Sequence, residues 1–449
     1  MRIEEKTMER RVTFYEETNF KTTEIGEIPA DWEVVKLGEL YSEVTKDRQV
    51  YLEDDKEYKQ VTVALYANGL RLRRVALGRD IAVKKQYLIR TGDLIFSKID
   101  ARNGAYGFVN ECLDGAIVSG DFPILEMKGH SCDEYFLWYY LKIDKNWHKF
   151  RNLAIGTTNR KRIQAKEFMN NLLVPLPPLE EQKAIAYVLS TVQEALEKTE
   201  KVIEATKELK KSLMKHLFTY GPVSLEEASR INLKETEIGE IPADWEVVKL
   251  GEVVTEESPP TEKDPEVSVI PFIPMALIPE DGIFVNSWEL RRREDIRSGI
   301  QVFEGDLLVA KITPCFENGK QGIVSQLPLP YAYATTEVLR LRARERIILE
   351  YVALFLKQGS VRTLLASKMQ GTTGRKRLSR HVLKDLPLPL PPLPVQKRIA
   401  EILQTVDEKI QAEEKKKQAL DNLFNSMLHM LMSGKLRVKF QTSEEGASN

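Results

Sequence analysis

The segment TEIGEIPADWEVVKLGE spans Thr23–Glu39 and returns without a change at Thr236–Glu252, 213 residues further on. Three more pairs of blocks keep the same order at nearly the same offset. GDLIFSKI from Gly92 pairs with GDLLVAKI from Gly305, an offset of 213. GTTNRKRI from Gly156 pairs with GTTGRKRL from Gly371, an offset of 215. LPPLEEQKAIAYVL from Leu176 pairs with LPPLPVQKRIAEIL from Leu390, an offset of 214. Four ordered matches indicate a tandem duplication, and a period above 200 residues makes each copy a domain-scale unit rather than a solenoid repeat. Between the blocks the copies differ: YLEDDKEYKQVTVALYANGLRLRRVALGRD has no obvious counterpart in IPFIPMALIPEDGIFVNSWELRRREDIRSG. Uneven drift after duplication would account for the divergence but not for a 17-residue identity. A held framework carrying two different readers accounts for both.

The length, 449 residues, suggests two to four domains, and 42% hydrophobic with 30% charged residues is a globular composition. Lys and Arg (66) almost cancel Asp and Glu (67), so any preference for an acidic partner must come from where charge is placed. Cys112, Cys132 and Cys315 are scattered, which fits a reducing compartment and no disulfide framework. The start MRIEEKTMERR has no apolar core of a secretory signal, and no run approaches the roughly 18 apolar residues of a membrane span. A cytoplasmic location is expected.

Within each half, short β-branched and aromatic runs (DLIFSKI, AYGFVN, DGIFVN, LLVAKI) separated by Gly, Asp and Asn predict strands and turns. DEYFLWYYLK and LEYVALFLKQ predict a helix in each half. Each half then closes on a long helix. The prolines of VPLPPLEEQ hold the backbone extended before Leu179, and Glu180 and Glu181 suit a first helical turn. Pro394 falls where a first turn tolerates it, while Gly221-Pro222 and Gly434 mark the two ends. Apolar residues step by four and three along the first helix at Ile185, Leu189, Val192, Leu196 and Ile203, with Leu213 and Leu217 near its end. The second carries Ile399, Leu403, Val406, Ile410, Leu420, Phe424, Met427 and Leu431. Such seams fit helices packed on their own domains, or two helices paired with each other. Two nearly equal seams in one chain favour pairing. Polar Thr199, Glu413 and Lys417 interrupt the midpoints and would meet if the helices ran antiparallel. About 40 residues at 1.5 Å each make a rod of roughly 60 Å. The expected fold is α+β: two mixed α/β domains in tandem, separated by two long helices in an antiparallel coiled coil, with pseudo-two-fold symmetry.

No catalytic constellation stands out, and no cofactor or metal is expected. SPPT (Ser258–Thr261) lacks the aromatic that an amino-methyltransferase would stack on a flipped base. SGK (Ser433–Lys435) lacks the upstream glycine of a phosphate loop. The five histidines, His130, His148 and His216 among them, show no ligand spacing. Placed basic charge is the informative feature. Thr157, Thr158, Arg160, Lys161 and Arg162 recur as Thr372, Thr373, Arg375, Lys376 and Arg377 in loops whose hydroxyls, amides and cations suit phosphate or guanine. Arg71, Arg73, Arg74 and Arg79 in the first diverged segment, and Arg291, Arg292, Arg293 and Arg297 in the second, are candidates for base-edge contacts; a salt-bridged surface is the alternative. Lys98 and Lys311 follow matched strands and fit either phosphate contact or structural pairing.

Taken in tandem and in this order, the IPADWEVVKLGE segments, GDLIFSKI with GDLLVAKI, the GTT-basic loops and the LPPL-headed helices resemble the specificity subunit of a type I restriction–modification system. The resemblance covers nearly the whole chain. It implies two target-recognition domains, each reading one half of a split, asymmetric site in double-stranded DNA, spaced by an antiparallel coiled coil. It further implies no catalysis in this chain, docking of two modification (methyltransferase) subunits, and recruitment of restriction (translocase–endonuclease) subunits. Carried onto these residues, it places an N-terminal segment at 1–21, recognition domains at 22–174 and 235–389, spacer-helix regions at 175–221 and 390–435, a linker at 222–234 and a flexible tail at 436–449. The family assigns base reading to the variable segments without naming residues. A free-standing bipartite DNA-binding regulator is the alternative, disfavoured by the near-zero net charge. A pure scaffold leaves the duplicated basic loops unexplained, and a methyltransferase requires more than SPPT provides.

Overall fold

The computed structural model describes residues 11–143, 146, 147, 150, 162–257, 268–372 and 374–441. It divides into two compact units, 1–198 with 417–449, and 199–416. Each unit therefore contains one duplicated domain and a stretch of both long helices.

In the first unit a four-stranded sheet runs in the order Tyr106–Phe108, Leu94–Phe96, Ile124–Met127, Tyr41–Glu43. A five-stranded sheet runs Gln49–Tyr51, Lys85–Leu88, Ile117–Val118, Glu57–Val63, Leu70–Leu77. The second unit repeats the scheme. One sheet runs Phe284–Val285, Gln321–Val324, Leu307–Ala310, Val338–Ala343, Val254–Thr255, and the other Ile300–Val302, Ala332–Ala334, Val269–Ile273, Glu289–Arg292. Even the one parallel pairing in each latter sheet recurs, Ile117–Val118 on Glu57–Val63 and Ala332–Ala334 on Val269–Ile273. The matched GDL blocks show why their strands are apolar throughout. Leu94 and Phe96 enter the main core while Ile95 faces the second sheet, and Leu307 and Val309 alternate with Leu308 in the same way. The preceding aspartates close the turn: Asp93 accepts the Arg90 N–H at 2.7 Å and Asp306 the Phe303 N–H at 2.9 Å.

Distant blocks of the repeat pair with each other. Glu33–Lys36 of the first identical segment lies antiparallel to Leu173–Leu176, and Glu246–Lys249 of the second to Pro387–Leu390. The glutamine of each LPPL block then fastens the start of its long helix. Gln182 accepts the Asp133 N–H at 2.7 Å and donates to the Ser131 and Pro177 carbonyls at 3.1 and 2.8 Å. Gln396 accepts the Ile348 N–H at 3.1 Å and donates to Arg346 and Pro391 at 3.0 and 2.8 Å. Both side chains are fully buried, so these bonds satisfy groups that water cannot reach.

The long helices span Leu179–Tyr220 and Leu393–Met432. They pair antiparallel: Lys207 meets Glu414 at 2.7 Å, and Lys210, one turn later, meets Asp407, two turns earlier on the partner helix. The expected seam residues are all buried or half-buried. At the ends both sequence readings hold. Ile185 and Leu189 share a core with Leu428 and Leu431 and with Trp32 and Phe136 of the first domain. Leu217 and Phe218 share one with Ile399 and Leu403 and with Tyr351 of the second. Thr199 and Glu413 are buried at the polar midpoint, where Glu413 takes Lys409 and Lys416 of its own helix at 2.6 and 3.5 Å.

The expected flexible tail is corrected over its first residues. Leu436–Phe440 is a strand antiparallel to Val12–Glu16, with Val438 opposite Phe14. Arg437 fastens it. Its guanidinium, 6% exposed, meets Glu181 at 2.6 Å, Glu17 at 2.5 Å and Asp31 at 2.8 Å. Burial opposes that charge, but the carboxylates of Glu181, Asp31 and Glu17 together outweigh it and raise the guanidinium pKa. Gly434, just before the strand, has φ +68° and packs so closely that a Cβ would stand 2.3 Å from Pro29 Cγ, which only glycine allows.

Candidate nucleic-acid interface

The two GTT-basic loops leave their domains at matching points. In the first, the Ile163 N–H donates to the Lys98 carbonyl and the Lys98 N–H to that of Asp121; in the second, Leu378 donates to Lys311 and Lys311 to Glu337. The last arginine of each loop pairs with that acidic residue, Arg162 with Asp121 at 3.2 Å and Arg377 with Glu337 at 2.9 Å. These ion pairs are half-exposed and anchor the loop base at little net gain in stability. Thr157, Thr158, Arg160, Lys161 and Thr373 lie outside the described residues. Thr372, Arg375 and Lys376 are exposed, and the Arg375 N–H closes a turn on the Thr372 carbonyl at 2.9 Å. Gly371 makes that turn possible: at φ +136° its Cβ position is 2.5 Å from the Arg375 carbonyl oxygen. Lys98 takes the structural side of its two readings, donating Nζ to the Gly120 carbonyl at 2.8 Å.

The diverged arginine segments prove to be one station in two copies. Arg71, Arg73 and Arg74 lie on the edge strand Leu70–Leu77, paired with Glu57–Val63. Arg291 and Arg292 lie on the edge strand Glu289–Arg292, paired with Val269–Ile273. Their chemistry differs. Pairing in the first hairpin jumps from Gln60 opposite Arg74 to Val61 opposite Leu72, leaving Arg73 in a bulge that re-aims it. Arg74 donates to Gln60 at 2.8 Å, while the side chains of Arg71 and Arg73 have no ion pair or hydrogen bond to a described residue. In the second hairpin Arg291 meets Glu289 at 2.6 Å and lies 3.9 Å above the Phe272 ring, and Arg292 meets Glu294 at 3.6 Å. Arg79 is likewise paired, with Asp55 at 3.2 Å. The salt-bridged reading therefore holds for Arg79, Arg291 and Arg292, and not for Arg71 and Arg73. Arg293 is half-buried in a short turn directly after its strand.

Sequence reasoning missed Tyr66. It is 66% exposed at the tip of the first hairpin, and both it and Ala67 have positive φ, 60° and 51°. This conformation costs on the order of 1–3 kcal/mol for each non-glycine residue and persists only where neighbours enforce it. Here the Tyr66 and Ala67 N–H groups donate to the Asn103 and Gly104 carbonyls, both at 2.8 Å. The same 98–104 segment receives the end of the GTT loop at Lys98. Ile163, just after the GTT loop, and the tip of the arginine hairpin thus both bond to the 98–104 segment. Nothing local in ALYANG marks this, because the strain is imposed from another part of the chain.

A duplicated α/β domain, each copy joined to a stretch of one antiparallel helix pair, fits the fold class of the type I DNA-specificity proteins. The chain belongs to that family: the type I restriction modification DNA specificity domain matches it twice, at 29–206 and 242–422. It is a type I specificity subunit, the non-catalytic component. Among curated relatives, the putative MjaX specificity subunit of Methanocaldococcus jannaschii is 28% identical over 447 residues, 95% of this chain and 98% of its own. The EcoAI specificity subunit of Escherichia coli is 35% identical over 162 residues, 36% of this chain and 27% of its own. A solved type I restriction–modification S subunit from M. genitalium superposes with TM-score 0.54 at 15% identity, covering 89% of this chain and 96% of that one. A chain solved in work on assembly and conformational transition of the type I system gives 0.51 at 20%, covering 91% and 99%. At such identities the structures bear on the fold alone. No helix among the described residues is long and apolar enough to cross a membrane.

Proposed function

We propose that each recognition domain reads one half of a bipartite, asymmetric site in double-stranded DNA. The helix pair sets the gap between the halves and offers docking surfaces to two modification subunits, with restriction subunits joining in the cytoplasm. The observation that carries this reading is the pairing of one station with two chemistries: the same edge strand holds Arg71 and Arg73, without a partner among the described residues, in one copy and braced Arg291 and Arg292 in the other. A homodimer repeats one reader and meets a palindrome. Two diverged readers in one chain remove that constraint while the shared blocks retain fold and spacing. Family membership supports the docking of methyltransferase partners, and the small net charge of −1 fits a protein that binds DNA as part of a complex.

The test is to co-express the chain with its modification subunit in a methylation-free host and map methylated bases on single molecules. The expected result is two unlike short sequences separated by a fixed unspecified gap. A single contiguous or palindromic methylated sequence would exclude the reading. Tight sequence-specific binding by the chain alone, with no gain from the partner, would favour the free-standing regulator instead.

A further inference from the structure

Within the second unit, where the recognition domain packs on the two long helices, a pocket of about 640 Å³ opens. Lys210 and Asp407 from the two helices form one wall, and Lys357 and Arg362, near the facing ends of two consecutive helices, form another. Lys210 sits 2.5 Å from Asp407 Oδ1. The second oxygen, Asp407 Oδ2, is buried and has no hydrogen-bond partner among the described residues. Lys357 Nζ donates to the Glu280 carbonyl at 2.6 Å, and Arg362 donates to the Lys357 carbonyl at 3.3 Å. Neither cation is paired with a carboxylate among the described residues, although Asp281 stands nearby. Arg362 is pressed over Gly319, where a Cβ would come within 2.6 Å of its guanidinium, so it has little freedom to swing out to solvent.

Three cations thus converge on a recess that Lys207, Lys211 and Lys215 also line, against the three acidic residues Glu280, Asp281 and Asp407, the last already paired with Lys210. Burial, reinforced by repulsion from Lys210 and Arg362, pushes the Lys357 ammonium down to about 8. Burial lowers Arg362 as well. Such an under-neutralised cluster stores electrostatic energy that an anion would release. Arg and Lys in a confined site suit phosphate oxygens, and the pocket's volume falls within the range of about 300–1,000 Å³ typical of small-molecule sites.

We propose that this pocket binds a phosphorylated ligand of nucleotide size, with its phosphate among Lys357, Arg362 and Lys210. The phosphate could be that of a free nucleotide or of one nucleotide in a DNA strand. The proposal goes beyond the half-site reading and does not rest on it, since none of these residues lies on the arginine hairpins or GTT loops.

Isothermal titration of the full-length chain with ADP, and with adenosine as the phosphate-free control, tests it. One saturable ADP site is expected, with no comparable binding of adenosine. Lys357→Met and Arg362→Gln should each weaken ADP about tenfold, as loss of one charge-assisted contact does, whereas Arg73→Gln should not. Lys357→Arg should retain most of the affinity and guards against a folding artefact. Competition by a non-specific DNA duplex would assign the phosphate to a DNA strand, and its absence to a free nucleotide. Binding of neither probe, or binding that both Lys357→Met and Arg362→Gln leave unchanged, would overturn the proposal, whatever the methylation map shows.

Discussion

Arg73 and Arg291 hold the same edge strand in two copies of one domain, yet they are prepared for contact in opposite ways. Arg71 and Arg73 have no partner to give up among the described residues, so a phosphate or a guanine edge meets them without breaking a pair there. Arg291 is braced by Glu289 and by the Phe272 face, which fixes its direction and lowers the entropy lost on contact. In the assembled complex, Arg73→Gln is expected to slow methylation through the first half-site only. If Arg73 reads a base edge, one position of that half-site relaxes by about 1–3 kcal/mol; if it holds phosphate, all sequences weaken alike and the salt slope falls by about one. Tyr66→Ala should likewise act on the first half-site alone. Methylation rates on a panel of single-base variants at fixed salt separate these outcomes, and rates unchanged throughout would remove the hairpin from the interface. Charge clusters were legible in the sequence because a run such as RLRR needs no geometry to be noticed. The bulge at Arg73, the Gly120 carbonyl on Lys98 and the strained Tyr66 were not, because each is imposed by a strand or loop remote in the chain.

At the scale of elements, the helices were legible and the terminal strand was not, for one physical reason. A heptad seam writes its partner into a local period, so Ile399, Leu403, Val406 and Ile410 announce a facing helix. The strand Leu436–Phe440 pairs with Val12–Glu16 at the other end of the chain, and five residues carry no period that could say so. The shared station of the two arginine hairpins was hidden likewise, since hydrogen-bonded topology persisted while nearly every side chain changed. Arg437 is where the terminal pairing is most exposed to test. Arg437→Met leaves Glu181 buried beside Trp32 without its cation, a loss expected to cost about 3 kcal/mol, toward the low end for breaking a buried ion pair. Urea unfolding followed on the first unit should show it, and an unchanged midpoint would mean the clasp is decorative. Acid should act similarly. Hydrogen bonds from Arg437 hold the Asp31 carboxyl below its ordinary range, and backbone N–H groups of Asn19 and Thr18, then Arg437, do so for Glu17. Because both are depressed in the folded state, their contribution is complete above the ordinary carboxylate range of about 4 and is lost as pH falls through the folded values. Hydrogen-exchange protection of 12–16 and 436–440 should therefore fade below that range, and earlier than protection of the helix seam.

For the molecule as a whole, the proposed function turns helix length into DNA length. One heptad inserted into each long helix, at positions that face each other in the register of the Lys207–Glu414 and Lys210–Asp407 pairs, keeps the seam in register and adds about 10 Å, the axial span of about three base pairs. Rotation complicates the exchange. Seven residues turn the helix surface by only about 20° from the seam, whereas three base pairs turn the second half-site by about 100° at 10.5 base pairs per turn. The variant is therefore expected to methylate sites with a lengthened gap, and to do so more slowly than the parent acts on its own site, because the DNA must untwist or the domains must lean to restore phase. Inserting four residues in one helix alone should fare worse, since it breaks the match between seams and exposes Val406 or Val192 to a polar neighbour. Methylome mapping of the variant complex reads gap and rate together. Should the parental gap persist at undiminished rate, the spacing must be set by something other than this helix pair.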